Sequence, residues 1–241
     1  MEKKDAKFKI FRFDPDKDDK PYFENFTVPC KKGETVLGAL FEIQDRIDGS
    51  LQFRFSCRAG VCGSCGMHIN GAYRLACETQ VSAMSQPIKL QPMSNMPVIK
   101  DLVVDMTEFW KKYRLIEPFL KPGRIDTDKE LPQTADEREK LGNSINCILC
   151  GACSSSCTMT MTNEAYLGPA ALLKAWRFVA DSRDRSYVER LESVDGLDGV
   201  WRCHTIFNCQ LACPKDLDPT GAIASLKREI IKKKVFGKRE M

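Results

Sequence analysis

All but one of the twelve cysteines in this 241-residue chain fall into spaced runs. The first is Cys57-x4-Cys62-x2-Cys65 followed by Cys77, the spacing of plant-type [2Fe–2S] sites. Four thiolates must converge on a flat two-iron group. The glycine-bearing loop "CRAGVCGSCG" can turn around it and offer backbone N–H groups to the sulfurs. The gap to Cys77 is shorter than in plant ferredoxins. The second run, "CILCGACSSSC", is Cys147-x2-Cys150-x2-Cys153-x3-Cys157. In two-cluster ferredoxins with this spacing, the last cysteine of each run ligates the cluster of the other. On that rule Cys147, Cys150, Cys153 and Cys213 hold a [4Fe–4S] group, and Cys157 joins Cys203 and Cys209. The third run places Ile206 where the remaining thiol is expected. A cubane corner without a protein ligand loses its iron readily, so this site is expected to hold [3Fe–4S]. Cluster type and charge help set the reduction potential, and this terminus is expected to accept electrons better than the cubane. Cys30 is left over and reads as an ordinary buried thiol.

Composition narrows the chemistry. Basic residues number 37 and acidic residues 33, a near-balance that argues against wholesale nucleic-acid binding. No apolar run reaches the roughly 18–20 residues of a spanning helix, and no apolar signal segment follows Met1. The expected setting is reducing, cytosolic or, if a membrane is involved, cytosol-facing, where clustered cysteines read as metal ligands rather than disulfides. Zinc is the competing metal. Four thiols within 147–157, only two histidines (His68 and His204), and small residues between the cysteines all weigh against it.

The elements that must position these thiols change character along the chain. Residues 7–13 and 22–28 alternate as strands around an Asp-rich turn, and 34–47 carries apolar residues at helical spacing. Residues 67–81 read as a second hairpin around Asn70-Gly71, with Cys77 on its return strand. Two hairpins and a crossing helix suggest a small sheet grasping a helix. Residues 99–116 read as an amphipathic helix, and everything after 135 reads as helical. Helices are expected over 168–184, with Pro169 in the first turn, and over 218–234, with Ile223, Leu226, Ile230 and Ile231 as the apolar face. The expected class is therefore α+β. A β-grasp [2Fe–2S] ferredoxin-like domain spans 1–105, and an all-α ferredoxin domain with [4Fe–4S] and [3Fe–4S] groups spans 106–241.

With the cluster runs in that order, "SCRAGVCGSCGMHING", "LGPAALLKAWRF", "DSRD", "WRCHTIFNC" and "CPKDLDP" resemble the iron–sulfur subunit of the succinate dehydrogenase/fumarate reductase family nearly end to end. The resemblance implies an electron-transfer subunit at the cytoplasmic face of a membrane, without a transmembrane helix of its own. Its partners would be an FAD-containing flavoprotein, where the dicarboxylate chemistry occurs, and a quinone-reactive membrane anchor. Electrons would run between flavin and quinone through [2Fe–2S], [4Fe–4S] and [3Fe–4S] in that order. Family members that bind quinone at this subunit carry Pro-Ser-x-Trp-Trp after the cysteine matching Cys157. Here that stretch is Thr158-Met159-Thr160-Met161-Thr162. His204 and Ile206 stand where the family places quinone-proximal residues; without the tryptophan, His204 can equally be a surface histidine. The departure favours a fumarate reductase whose anchor carries haem b and its own quinone site.

Two other readings compete. One is a freely diffusing ferredoxin, although ferredoxins are usually smaller and acidic. The other is a fumarate reductase relative fed by thiols or another soluble donor. The tail 226–240 holds seven basic residues. It reads as a solvated helix end, or as a contact for anionic headgroups at about 1 kcal/mol per Lys or Arg.

Overall fold

The computed structural model describes residues 4–123 and 129–237, so the end of the basic tail lies outside the described residues. The chain divides into two compact units: residues 1–106 with 148–156 and 212–214, and residues 107–147 with 157–211 and 215–241. Two short segments of the helical half, each bearing cysteines, thus belong to the first unit.

In the first unit, β1 (Lys4–Arg12) and β2 (Tyr22–Cys30) form the long hairpin expected from alternation. Ala6, Phe8 and Ile10 point to one face and are buried there. Helix α1 (Val36–Arg46) is capped by Thr35, whose hydroxyl accepts from Gly38 N at 3.1 Å. It buries Val36, Leu37, Ala39, Leu40 and Ile43 in the same core. The second hairpin is shorter than expected: β3 (Gly66–Ile69) and β4 (Ala72–Leu75) meet at Asn70 and Gly71, which both have positive φ. Strand β5 (Ile88–Gln91) was not anticipated, being only four residues beside a proline-broken stretch. It pairs parallel with β1 and completes a five-stranded sheet in the order β2-β1-β5-β3-β4.

The helix expected over 99–116 forms only in part. Residues 98–104 make a small hairpin, β6 (Val98–Lys100) and β7 (Val103–Val104), and α2 runs from Thr107 to Leu115. Asp101, at φ 48° and 1% exposed, is the reason. Its carboxylate accepts from Arg12 Nε at 3.1 Å, Phe13 N at 3.1 Å and Gln52 N at 2.9 Å. Three donors to one buried carboxylate outweigh the amphipathic pattern of one short segment. Arg12 also donates to Glu24 at 2.6 Å, to Ser50 at 2.8 Å and to Asp48. This cluster fastens the chain just before the first cysteine loop. Arg12→Ala would leave the Asp101 carboxylate buried without its charged partner. Denaturant titration should show a loss of about 3–5 kcal/mol; a change below about 1 kcal/mol would contradict this role. Burial opposes ionisation of Asp48, but Ser50 and Arg12 pull its carboxyl down to about 2. A depressed carboxyl stabilises the fold above its unfolded value, and that contribution disappears as pH falls toward 2.

The second half is helical. In chain order follow α3 (Ala135–Lys140), α4 (Ala152–Ser155), α5 (Thr158–Thr162), α6 (Gly168–Val179), α7 (Tyr187–Val194), α8 (Asn208–Leu211) and α9 (Pro219–Phe236). Helix α4 belongs to the first unit; α2, α3 and α5–α9 belong to the second. Pro169 and Pro219 lie in the first turns of their helices, and Asp218 caps α9 by accepting from Gly221 N at 2.8 Å. Leu172, Leu191, Ile223, Leu226 and Ile230 share the core of the second unit. Ile231, expected on the buried face of α9, is instead 50% exposed. A second buried arginine organises this unit. Arg190 donates to Asp184 at 2.7 and 3.0 Å and to the carbonyls of Ile116, Glu117 and Phe119. It thereby ties the segment after α2 to α7.

Candidate metal centres

The first cysteine loop is shaped by Arg58, Gly60 and Gly63, all at positive φ. Six backbone N–H groups point at sulfur. Ala59, Val61 and Cys62 donate to Cys57 Sγ at 3.3–3.4 Å, Cys57 and Ser64 to Cys62 Sγ at 3.5 Å, and Gly60 to Cys77 Sγ at 3.3 Å. Such donors stabilise thiolate charge, which is what a cluster of bridged irons requires of its ligands. Cys77 is not on the return strand: β4 ends at Leu75, and Cys77 sits in the turn that follows. That turn is fixed from both sides. Ala76 N donates to Cys65 O at 3.1 Å, while the first amides of α1, Val36 and Leu37, donate to Thr79 O and Ala76 O. Leaving the strand lets Cys77 face the loop across from Cys65.

The four thiols have unequal surroundings. Cys57 is exposed, Cys62 half-buried, and Cys65 and Cys77 buried. Hydrogen bonds from Ser64 and Cys57 lower the Cys62 thiol to about 6, while burial pushes Cys65 up to about 12. Beside the loop, Arg58 lies over the rings of Phe41 and Phe55, 4.6 and 5.4 Å from their centroids.

The second run divides between the units. Cys150 and Cys153, with Cys213, belong to the first, and Cys147 to the second. Gly151, at φ 84°, follows Cys150 and caps the four-residue helix α4, which carries Cys153. Cys147 lies near the partly buried Lys174 on α6 and Tyr113 on α2. Burial lowers the Lys174 ammonium and raises the Tyr113 hydroxyl, and Cys147 is the neighbouring acidic group for both.

In the second unit, Cys157, Cys203 and Cys209 line one small cavity together with His204 and Ile206. Cys209 is buried against Thr220, with Sγ and Oγ1 3.2 Å apart. Burial raises its thiol, Thr220 counters that, and the proximity of Cys157 and Cys203 adds to the rise. The backbone of the third run is held by Lys227, whose Nζ donates to Cys203 O at 2.8 Å. Thr205 and Phe207 take positive φ on either side of Ile206. Ile206 is 47% exposed, His204 is exposed, and Phe207 and Met161 add further exposed apolar surface.

Thr158 and Met159 of α5 reach this cavity, and so does Tyr166, which is 1% exposed. No tryptophan lines it among the described residues; Trp201 instead donates to Asp195 at 2.7 Å. Tyr166 and Thr220 were missed from the sequence. Neither shares a spacing with the cysteines, and only the packing of α9 brings Thr220 to Cys209. Among the described residues no three His, Cys, Asp or Glu side chains converge as a single ion requires. A polynuclear cluster takes its cysteines at separated corners.

Two family models match the chain. A "2Fe-2S iron-sulfur cluster binding domain" covers residues 7–111, and a "4Fe-4S dicluster domain" covers residues 143–217. The succinate dehydrogenase iron-sulfur subunit of Paracoccus denitrificans is 42% identical over 93% of this chain and 88% of its own length. The mitochondrial succinate dehydrogenase [ubiquinone] iron-sulfur subunit 1 of Oryza sativa subsp. japonica is 46% identical over 92% of this chain and 80% of its own. A chain of the Mycobacterium smegmatis Sdh1 complex in the apo form superposes with a TM-score of 0.87 at 25% identity, covering 97% of this chain and 98% of that one. No described helix is long and apolar enough to cross a membrane.

Proposed function

This chain belongs to the iron–sulfur subunits of the succinate dehydrogenase/fumarate reductase family, and on that footing we propose that it carries electrons between an FAD-bearing flavoprotein and a quinone-reactive membrane anchor. The observation that carries this reading is the cavity shared by Cys157, Cys203 and Cys209 with Ile206 at its edge. Three thiols and an apolar side chain at one site suit a three-iron terminus. When bound, the clusters supply one-electron steps. The protein's own part is to hold thiolates, aim N–H groups at them and keep water away.

The ligand sets are Cys57, Cys62, Cys65 and Cys77 for [2Fe–2S], and Cys147, Cys150, Cys153 and Cys213 for [4Fe–4S]. Cys157, Cys203 and Cys209 serve [3Fe–4S]. The exposed His204, Ile206 and Phe207 around the third site suit a surface that meets the anchor. The chain would then sit peripherally on the cytoplasmic face.

Direction is a finer matter. The named relatives are succinate dehydrogenases, which supports succinate oxidation. Among the described residues no tryptophan lines the cavity of the third site, which favours the other reading, a fumarate reductase with quinone and haem b handled wholly in the anchor. The complex purified with its membrane partners should contain about nine irons per copy of this chain, with matching acid-labile sulfide, from two-, four- and three-iron groups. Zinc without sulfide would sink the reading. Haem content, with the ratio of succinate–quinone to quinol–fumarate turnover, separates the two directions.

A further inference from the structure

The segment 148–156 carries two of the cysteines assigned to [4Fe–4S], yet it is built into the first unit. Three independent features hold it there. Asn95 Nδ2 donates to the carbonyls of Ser154 at 3.3 Å and Ser155 at 2.9 Å, and Tyr73 Oη donates to the Ser155 carbonyl at 3.1 Å. These are carbonyls in the last turn of α4, where helix geometry leaves acceptor capacity unused. Ala152 and Cys150 pack in a seat formed by Met93, Met96, Met106 and Val104. Finally, Gly63 of the first cysteine loop lies directly against Cys150. A Cβ at residue 63 would stand 2.8 Å from Cys150 Cβ, 2.9 Å from Cys150 Cα and 3.0 Å from Ile148 O. Gly63 is also at φ +73°, so any side chain there is strained as well as obstructed.

We propose that Gly63, Tyr73 and Asn95 are positioning residues that set the separation between the [2Fe–2S] and [4Fe–4S] groups, and with it the rate of electron exchange between them. The inference rests on the ligand assignment above. Gly63 lies between Cys62 and Cys65, so its contact with Cys150 joins the wall of one site to a ligand of the other. Tyr73 and Asn95 act from the opposite end of the segment: they pull α4 onto the β3–β4 hairpin and the 91–97 stretch. Electron tunnelling falls steeply with distance, so a clamp holding two backbones in contact governs rate without touching a cluster. Tyr73 and Asn95 share no sequence spacing with the cysteines, and only packing joins them with Gly63 into one device.

The test uses the assembled complex with Tyr73→Phe, Asn95→Ala and Gly63→Ala, each measured by EPR after full reduction. Tyr73→Phe removes one hydroxyl and keeps the ring, so it guards against a variant that fails to fold. Integrated two-iron and four-iron signals should stay at wild-type intensity in Tyr73→Phe and Asn95→Ala, while Gly63→Ala, inside the cysteine loop, is read only in the molecules that keep both groups. The broadening of the two-iron signal by the neighbouring reduced four-iron group should weaken, most in Gly63→Ala, and electron exchange between the groups should slow several-fold. A purely structural role would lower signal intensities and leave that broadening unchanged in the molecules that remain. Wild-type broadening in all three variants at full cluster content would overturn the proposal and leave the ligand assignment standing. If the wild-type complex lacked the two-iron or four-iron signal, the assignment itself would fall.

Discussion

Ile206→Cys is expected to convert the three-iron site into a four-iron site. Ile206 stands at the position of the missing thiol in the third run, and its side chain lines the cavity shared by Cys157, Cys203 and Cys209. It is half-exposed on a loop whose flanking residues, Thr205 and Phe207, are held at positive φ. A thiol placed there faces the same cavity and needs no rearrangement of its neighbours. The oxidised three-iron EPR signal should therefore fall, and a second [4Fe–4S] signal should appear on reduction. The added thiolate brings negative charge beside the cluster and should lower its potential. Exchange with quinone should slow, while turnover with artificial acceptors on the flavin side persists. An undiminished three-iron signal in the variant would mean that residue 206 does not face the open corner, and the ligands of this run would have to be reassigned.

Cys77→Ser should abolish the two-iron signal and leave the three-iron signal at full intensity. Cys77 receives the Gly60 N–H at 3.3 Å and lies buried beside Cys65, so no solvent ligand can easily replace its sulfur. A serine hydroxyl is a harder and shorter donor, poorly matched to iron bridged by sulfide. The cysteines assigned to the three-iron group lie in the other compact unit, as do Thr220 and Lys227, which support them. Each unit keeps its own core, so damage at Cys77 should stay local. Loss of both signals together would show that the two units do not acquire metal independently.

Sequence spacing pointed to the cluster chemistry because most of each assigned ligand set lies within one short run, with one cysteine supplied from elsewhere in the chain. Within each run, the residue count between cysteines limits how closely sulfurs can converge, and Arg58, Gly60 and Gly63 supply the backbone angles the first loop needs. Alternation in β1 and β2, the apolar stripe of α1, and Pro169 and Pro219 in the first turns of α6 and α9 were legible for the same reason. Tertiary structure alone decided what depends on distant partners. Asp101 drew three donors from other segments and made a hairpin where an amphipathic pattern promised helix. The short strand β5 exists because β1 and β3 supply its hydrogen bonds, not because its own four residues demand it. Cys77 left its strand because the first amides of α1 captured the carbonyls on either side of it. The segment 148–156 joined the first unit through Tyr73, Asn95 and the contact with Gly63, none of which any spacing of cysteines encodes. Candidate ligands are legible in short-range spacing; the placement of one candidate set against another is the sum of contacts between residues far apart in the chain.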